Sequence, residues 1–161
     1  LNQENRDSFC ASCHTQPETR YYEQSTATAP TTLASFHATK GVRCIDCHSG
    51  GGAFGRIEGL EQGSQDLLSY YSGRYHNPAI TTNKLSDDSC TKCHAEVYYG
   101  ADFNNHFHRF LLQWQSRDPN AAGCVDCHTG HPPAGADQQF MVESTFTPVC
   151  QRCHATLGGG E

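Results

Sequence analysis

At 161 residues the chain has the length of one domain, yet only 36% of its residues are hydrophobic and 15 are glycine, too little apolar material for a conventional helix-and-sheet core. Its formal net charge is −6, and the 11 Lys and Arg form no run, which excludes nucleic acid as a partner and favours basic docking surfaces. The most apolar patch, FHRFLLQW at 107–114, is far too short to cross a bilayer, so no transmembrane segment is expected.

From the N-terminus, the first feature is Cys10-Ala-Ser-Cys13-His14, followed by a Thr-, Ala- and Pro-rich stretch, STATAPTT, that reads as loop. His37 precedes Cys44-Ile-Asp-Cys47-His48, and Ser-Gly-Gly-Gly follows it. Residues 56–73 carry apolar side chains at 57, 60, 67, 68, 70 and 71 with glycines between; the broken periodicity predicts a short helix near 64–72. His76 comes next, then Cys90-Thr-Lys-Cys93-His94. The best helix candidate runs over roughly 104–116, carries His106 and His108, and stops before DPNAAG. Cys124-Val-Asp-Cys127-His128 is followed three residues later by His131, and Cys150-Gln-Arg-Cys153-His154 is the last motif. No alternating strand pattern reaches useful length. Each motif is expected to close a short helical turn.

The five C-x-x-C-H motifs use all ten cysteines. This is the attachment signature of c-type haem: two thiols add across the porphyrin vinyl groups and the adjacent histidine reaches the iron from one face. A disulfide framework has no reason to place His after every second Cys, and structural zinc would divide five C-x-x-C pairs with a remainder. The reading is therefore five haem c groups, one per roughly 32 residues, in a single domain over 1–161. The fold class expected is a mostly irregular chain with short α-helices and little or no β, wrapped around closely packed haems. The chain without them should not reach this structure, because the apolar surface to be buried is missing. Haem is ligated to such thioethers outside the cytoplasm, so a periplasmic or extracellular location is expected.

Five histidines lie outside the motifs: His37, His76, His106, His108 and His131. Their number equals the number of irons, so bis-His ligation throughout is the simplest reading, with Met141, the only methionine, as a packed residue. His131 is too close to His128 to pass round the same porphyrin edge, and must serve another iron or none. His106 and His108 point about 200° apart on a helix and should also serve different haems. Asp46 and Asp126, inside their motifs, are expected to bond local backbone. First cysteines are spaced 34, 46, 34 and 26 residues apart, and CIDCHSG resembles CVDCHTG; an old duplication of a motif pair would explain both.

The phrases FCASCH, SFHATKGVRCIDCHSG, GSQDLLSYYSGRYH, LSDDSCTKCH and GCVDCHTGHPP resemble the NapC/NirT family of multihaem cytochromes over roughly residues 8–133. That resemblance implies stacked haems and a quinol dehydrogenase feeding periplasmic reductases. It implies that His131 ligates the haem on Cys44 and Cys47, and it matches His37 and either His106 or His108 to distal ligands. The chain departs from the family in lacking a Met after the first motif, in reading Ser-Gly-Gly-Gly after the second, and in adding a fifth motif.

With closed irons the expected function is electron transfer and no catalytic residue is assigned. The chain would serve as a respiratory conduit: a protomer of an extracellular filament, a respiratory-complex subunit or a periplasmic shuttle. Its partners would be redox proteins or identical protomers. The alternatives are a NapC/NirT-like quinol dehydrogenase fragment without its anchor, or a small nitrite or hydroxylamine reductase, which needs one open iron.

Overall fold

The computed structural model describes residues 3–13, 15–80, 84–100, 102–135 and 139–158, with Ala53 as backbone only. Eight α-helices occur among them: α1 (Asp7–Cys10), α2 (Glu18–Ser25), α3 (Leu33–Thr39), α4 (Cys44–His48), α5 (Gly52–Tyr71), α6 (Asp88–Tyr99), α7 (His106–Arg117) and α8 (Glu143–Leu157). Short 3-10 turns at Gln3–Asn5, Phe103–Asn105 and Cys124–Asp126 accompany them. Among the described residues there is no strand, only one isolated antiparallel bridge between His128 and Met141. The architecture is the expected one of short helices and irregular links. No described helix is long and apolar enough to cross a membrane.

Local sequence explains the helices that matter. α3 starts at a reciprocal cap. Thr32 Oγ1 accepts from the Ser35 N–H at 3.0 Å, and Ser35 Oγ accepts from the Thr32 N–H at 2.9 Å. Both residues are buried, so the start of the helix that carries His37 is fixed. The segment expected as helix near 104–116 is a 3-10 turn running into α7, opened by Asp102, whose side chain accepts from the N–H groups of Asn104 and Asn105.

α5 is a correction. It begins at Gly52, well before the short helix expected near 64–72. Gly55 and Gly59 allow close packing instead of breaking the helix, while a Cβ at Gly63 would meet nothing within 4 Å. A Cβ at Gly55 would sit 2.7 Å from Ser49 O, and one at Gly59 would sit 3.2 Å from Ser49 Cα. Glycine here lets the helix cross the loop that follows the second motif, and an ion pair from Arg56 to Glu4 at 2.8 Å ties it to the N-terminus.

The side-chain core is small. Leu111 and Trp114 from α7, Ala122 and Cys127 around the fourth motif, and Val149 from α8 form one buried cluster, against which Met141 and Phe146 pack. Met141 thus has the packing role expected of it. Phe54, Leu68, Tyr71, Tyr99 and Phe103 are all more than two-thirds exposed, so these large apolar groups are not buried in the side-chain core.

Candidate functional site

All ten cysteines are free of disulfides, and the five motifs sit on short helical segments. The second is α4 itself, the third lies in α6, the fourth opens on a 3-10 turn and the fifth lies in α8. In α6 the backbone leaves helical geometry at His94 (φ −114°, ψ 37°), kinking the helix at the motif histidine. His14 of the first motif lies outside the described residues.

Successive motifs touch in sequence order. Asp7 Oδ1 accepts from the Cys44 N–H at 2.9 Å, joining motif one to motif two. Lys92 Nζ donates to the carbonyls of Asp46 and, at 3.0 Å, Gly50, joining three to two. Asp87 Oδ1 accepts from the Cys124 N–H at 2.7 Å, joining three to four. Arg152 Nη1 donates at 3.0 Å to Asn120 O, just ahead of motif four, and its guanidinium lies 5.6 Å from the Trp114 ring centroid, joining five to four. The thiols of Cys10 and Cys44 also meet, as do those of Cys90 and Cys124. In each pair the accepting thiol is lowered to about 7 by its neighbour, while the donating one is raised.

The in-motif aspartates behave as expected of them. Asp46 accepts from the Arg43 N–H at 2.9 Å and Asp126 from the Gly123 N–H at 2.7 Å. Asp46 is held below the usual carboxylate range mainly by the Arg43 side chain. Burial pushes Asp126 up, but Lys84 and the Gly123 N–H outweigh it. Asp7, Asp87 and Lys92 were not singled out from the sequence. The available signal was the shared spacing D-x-x-C-x-x-C-H at residues 7–14 and 87–94.

Four motif histidines each pair with a histidine outside the motifs. Ring centroids lie 6.1 Å apart for His37 and His94, 6.2 Å for His48 and His131, 6.3 Å for His106 and His154, and 6.1 Å for His108 and His128. A ring nitrogen sits about 1.1 Å from its imidazole centroid and binds a first-row metal at about 2.0 Å, so two rings trans across one ion have centroids about 6.2 Å apart. Each of the four centroid separations matches the width of one metal ion held between two rings. Among the described residues no cluster of three or more His, Cys, Asp or Glu converges as at a bare metal site; a flat ligand that fills the equatorial positions itself, as a porphyrin does, fits such pairs.

Three of these rings have a partner that fixes the tautomer. Nδ1 of His37 meets Leu33 O at 3.0 Å, that of His128 meets Gln139 O at 2.9 Å, and that of His108 meets Asn105 Oδ1 at 2.7 Å. A proton held at Nδ1 leaves Nε2 free for metal. His131 is different: its Nδ1 is buried with no partner, and its ring stacks on Tyr21 at 3.8 Å with planes 7° apart. Burial, helped by His48 and Arg20, lowers its pKa to about 4, so the ring stays neutral and able to donate a lone pair.

His76 has no described histidine opposite it. Its segment is nevertheless tied to the residues that follow His14: the Gln16 N–H donates to Asn77 Oδ1 at 3.0 Å, and the Ala79 N–H donates to Gln16 O.

Residues 117–159, which hold the fourth and fifth motifs, match the family model of the doubled CXXCH motif. The match supports a multihaem c-type cytochrome. No curated protein and no solved structure matches the chain. The CXXCH motifs indicate covalent haem c and electron transfer.

Proposed function

We propose that the chain is a single pentahaem domain over 1–161 that conducts electrons outside the cytoplasm. The observation that carries this reading is the set of four histidine pairs spaced for one metal ion each. The axial ligands we assign are His48 with His131, His94 with His37, His128 with His108, and His154 with His106. His14 takes His76, by elimination and because Gln16 is bonded to Asn77 and Ala79. Bound haem supplies a one-electron couple at iron, and bis-His ligation without Met sets that couple low.

The residues do the rest. The thiols would hold each macrocycle covalently, and the motif histidine together with a histidine from another segment would bind its iron. No histidine would then be left over for donation to a neighbouring molecule, and no iron would be left open to substrate. The contacts at Asp7, Lys92, Asp87 and Arg152 order the motifs one to five. Partners would then meet the ends of the series, at the first and fifth motifs. The pairing of His131 with His48 is what the NapC/NirT resemblance implies, and it favours a respiratory conduit: filament protomer, complex subunit or periplasmic shuttle.

The test is intact mass combined with low-temperature spectroscopy of the purified protein. A mass above the 17.7 kDa chain by five haems and wholly low-spin ferric iron are expected. A far-red Met–iron band, or a large high-spin fraction, would overturn the reading.

A further inference from the structure

Aspartate at the start of a helix ordinarily accepts from N–H groups two or three residues on. Asp87 holds the cap position of α6 yet makes no side-chain cap bond to its own helix, and Asp7 is the first residue of α1. Both carboxylates turn to the backbone of another motif. The N–H they reach, on Cys44 and Cys124, belongs to the first residue of a helical turn, where such groups lack intrahelical partners. The N–H one residue earlier, on Arg43 or Gly123, is taken by Asp46 or Asp126. Each turn is thus capped twice, once from inside its motif and once from the motif before it.

The two arrangements are equivalent atom for atom. Asp7 and Cys44 are 37 residues apart, as are Asp87 and Cys124. The connecting segments do not share a fold: the first contains α2 and α3, the second the end of α6 and α7. Two different connections delivering the same N–H to the same carboxylate point to selection on the contact itself.

Building on the five-haem reading, we propose that Asp7 and Asp87 are positioning residues of one repeated unit. Each holds the first cysteine of the following motif against its own motif and so sets the contact between the two macrocycles attached there. The chain is then two such units, motifs one–two and three–four, followed by a fifth motif. That motif has Thr147 where the aspartate would stand and is held by Arg152 instead. Asp87 is the more constrained of the two, since its Oδ2 also accepts from Gln115 Nε2 at 2.8 Å and from the Tyr98 hydroxyl at 3.3 Å.

The test uses holoprotein of Asp7→Ala, Asp87→Ala, Asp7→Asn and Asp87→Asn. Haem number is read by mass, and haem–haem contact by the exciton couplet in Soret circular dichroism. Five haems with a couplet reduced by roughly a quarter are expected in either alanine variant, since each loosens one of the four contacts between successive motifs. Asp7→Asn, which keeps an acceptor oxygen for the Cys44 N–H, should match the parent protein, whereas Asp87→Asn turns one of two accepting oxygens into an amide donor and should be impaired, though less than Asp87→Ala. An unchanged couplet in an alanine variant with five haems overturns the proposal, as does Asp7→Asn as damaged as Asp7→Ala. If the alanine variants do not mature, a diminished couplet in Asp7→Asn overturns it and a normal one sustains it. Fewer than five haems in the parent protein would instead refute the underlying reading.

Discussion

The imidazoles of His108 and His128 lie parallel, with planes 6° apart and centroids 6.1 Å apart, whereas those of His37 and His94 cross at 80° at the same separation. His48 and His131 are near-parallel at 25°, and His106 and His154 stand at 59°. If these pairs hold the irons as proposed, the chain would offer two kinds of ring geometry from one ligand type.

Parallel axial imidazoles give a rhombic low-spin ferric signal, and crossed ones a highly anisotropic signal. Both are expected in the paramagnetic resonance spectrum of the oxidised protein. His37→Ala should remove anisotropic intensity and leave the rhombic signals in place; the loss of rhombic intensity in that variant would show that His37 faces a different motif.

His76 offers a second check, because its partner was reached by elimination. His76→Ala should retain five covalent haems and gain one cyanide-binding, high-spin iron. Titration with cyanide counts the opened sites: one equivalent is expected, and none would place His76 on the surface as a bystander.

How much of this could be read from the chain alone differs by residue. The attachment cysteines and histidines are legible because their spacing is local and their chemistry is specific. The separation of His106 from His108 is legible because helical rotation is fixed by geometry; His106 faces His154 while His108 faces His128. The extent of α5 was not legible. Its glycines look like helix breakers until the Ser49–Gly50 backbone is seen to lie against Gly55 and Gly59. Asp7 and Asp87 were missed for a similar reason. An acidic residue ahead of a helix has an adequate local role as a cap, and only a contact 37 residues away reveals the other one.

Tyr98 gives the pH dependence a sign. Burial, and then the Asp87 carboxylate, raise its hydroxyl from 10.0 to about 12. The folded state therefore holds this proton more tightly than the unfolded chain does. Its contribution to stability is fully present below pH 10 and is lost as pH rises toward 12. Thermal midpoints should fall across that window, and Tyr98→Phe should flatten the fall while costing about 1 kcal/mol at neutral pH for the lost hydrogen bond. An alkaline slope identical in the two proteins would assign the transition to other groups.

His131 tests both a ligand and the architecture. It follows the fourth motif yet its ring lies 6.2 Å from that of His48 of the second, and Tyr21 stacks on it at 3.8 Å. His131→Ala leaves every C-x-x-C-H motif intact, so the variant should keep five thioether-linked haems. It should acquire a single high-spin, cyanide-binding iron, assigned to the attachment at Cys44 and Cys47. The stacked pair with Tyr21 is worth about 1 kcal/mol by itself. Because the ligand also ties segments from the second and fourth motifs, the thermal midpoint should drop further than in Tyr21→Leu, which removes the stacking alone. A His131→Ala protein that remains wholly low-spin, or that is no less stable than Tyr21→Leu, would mean that His131 packs against Tyr21 without holding a metal.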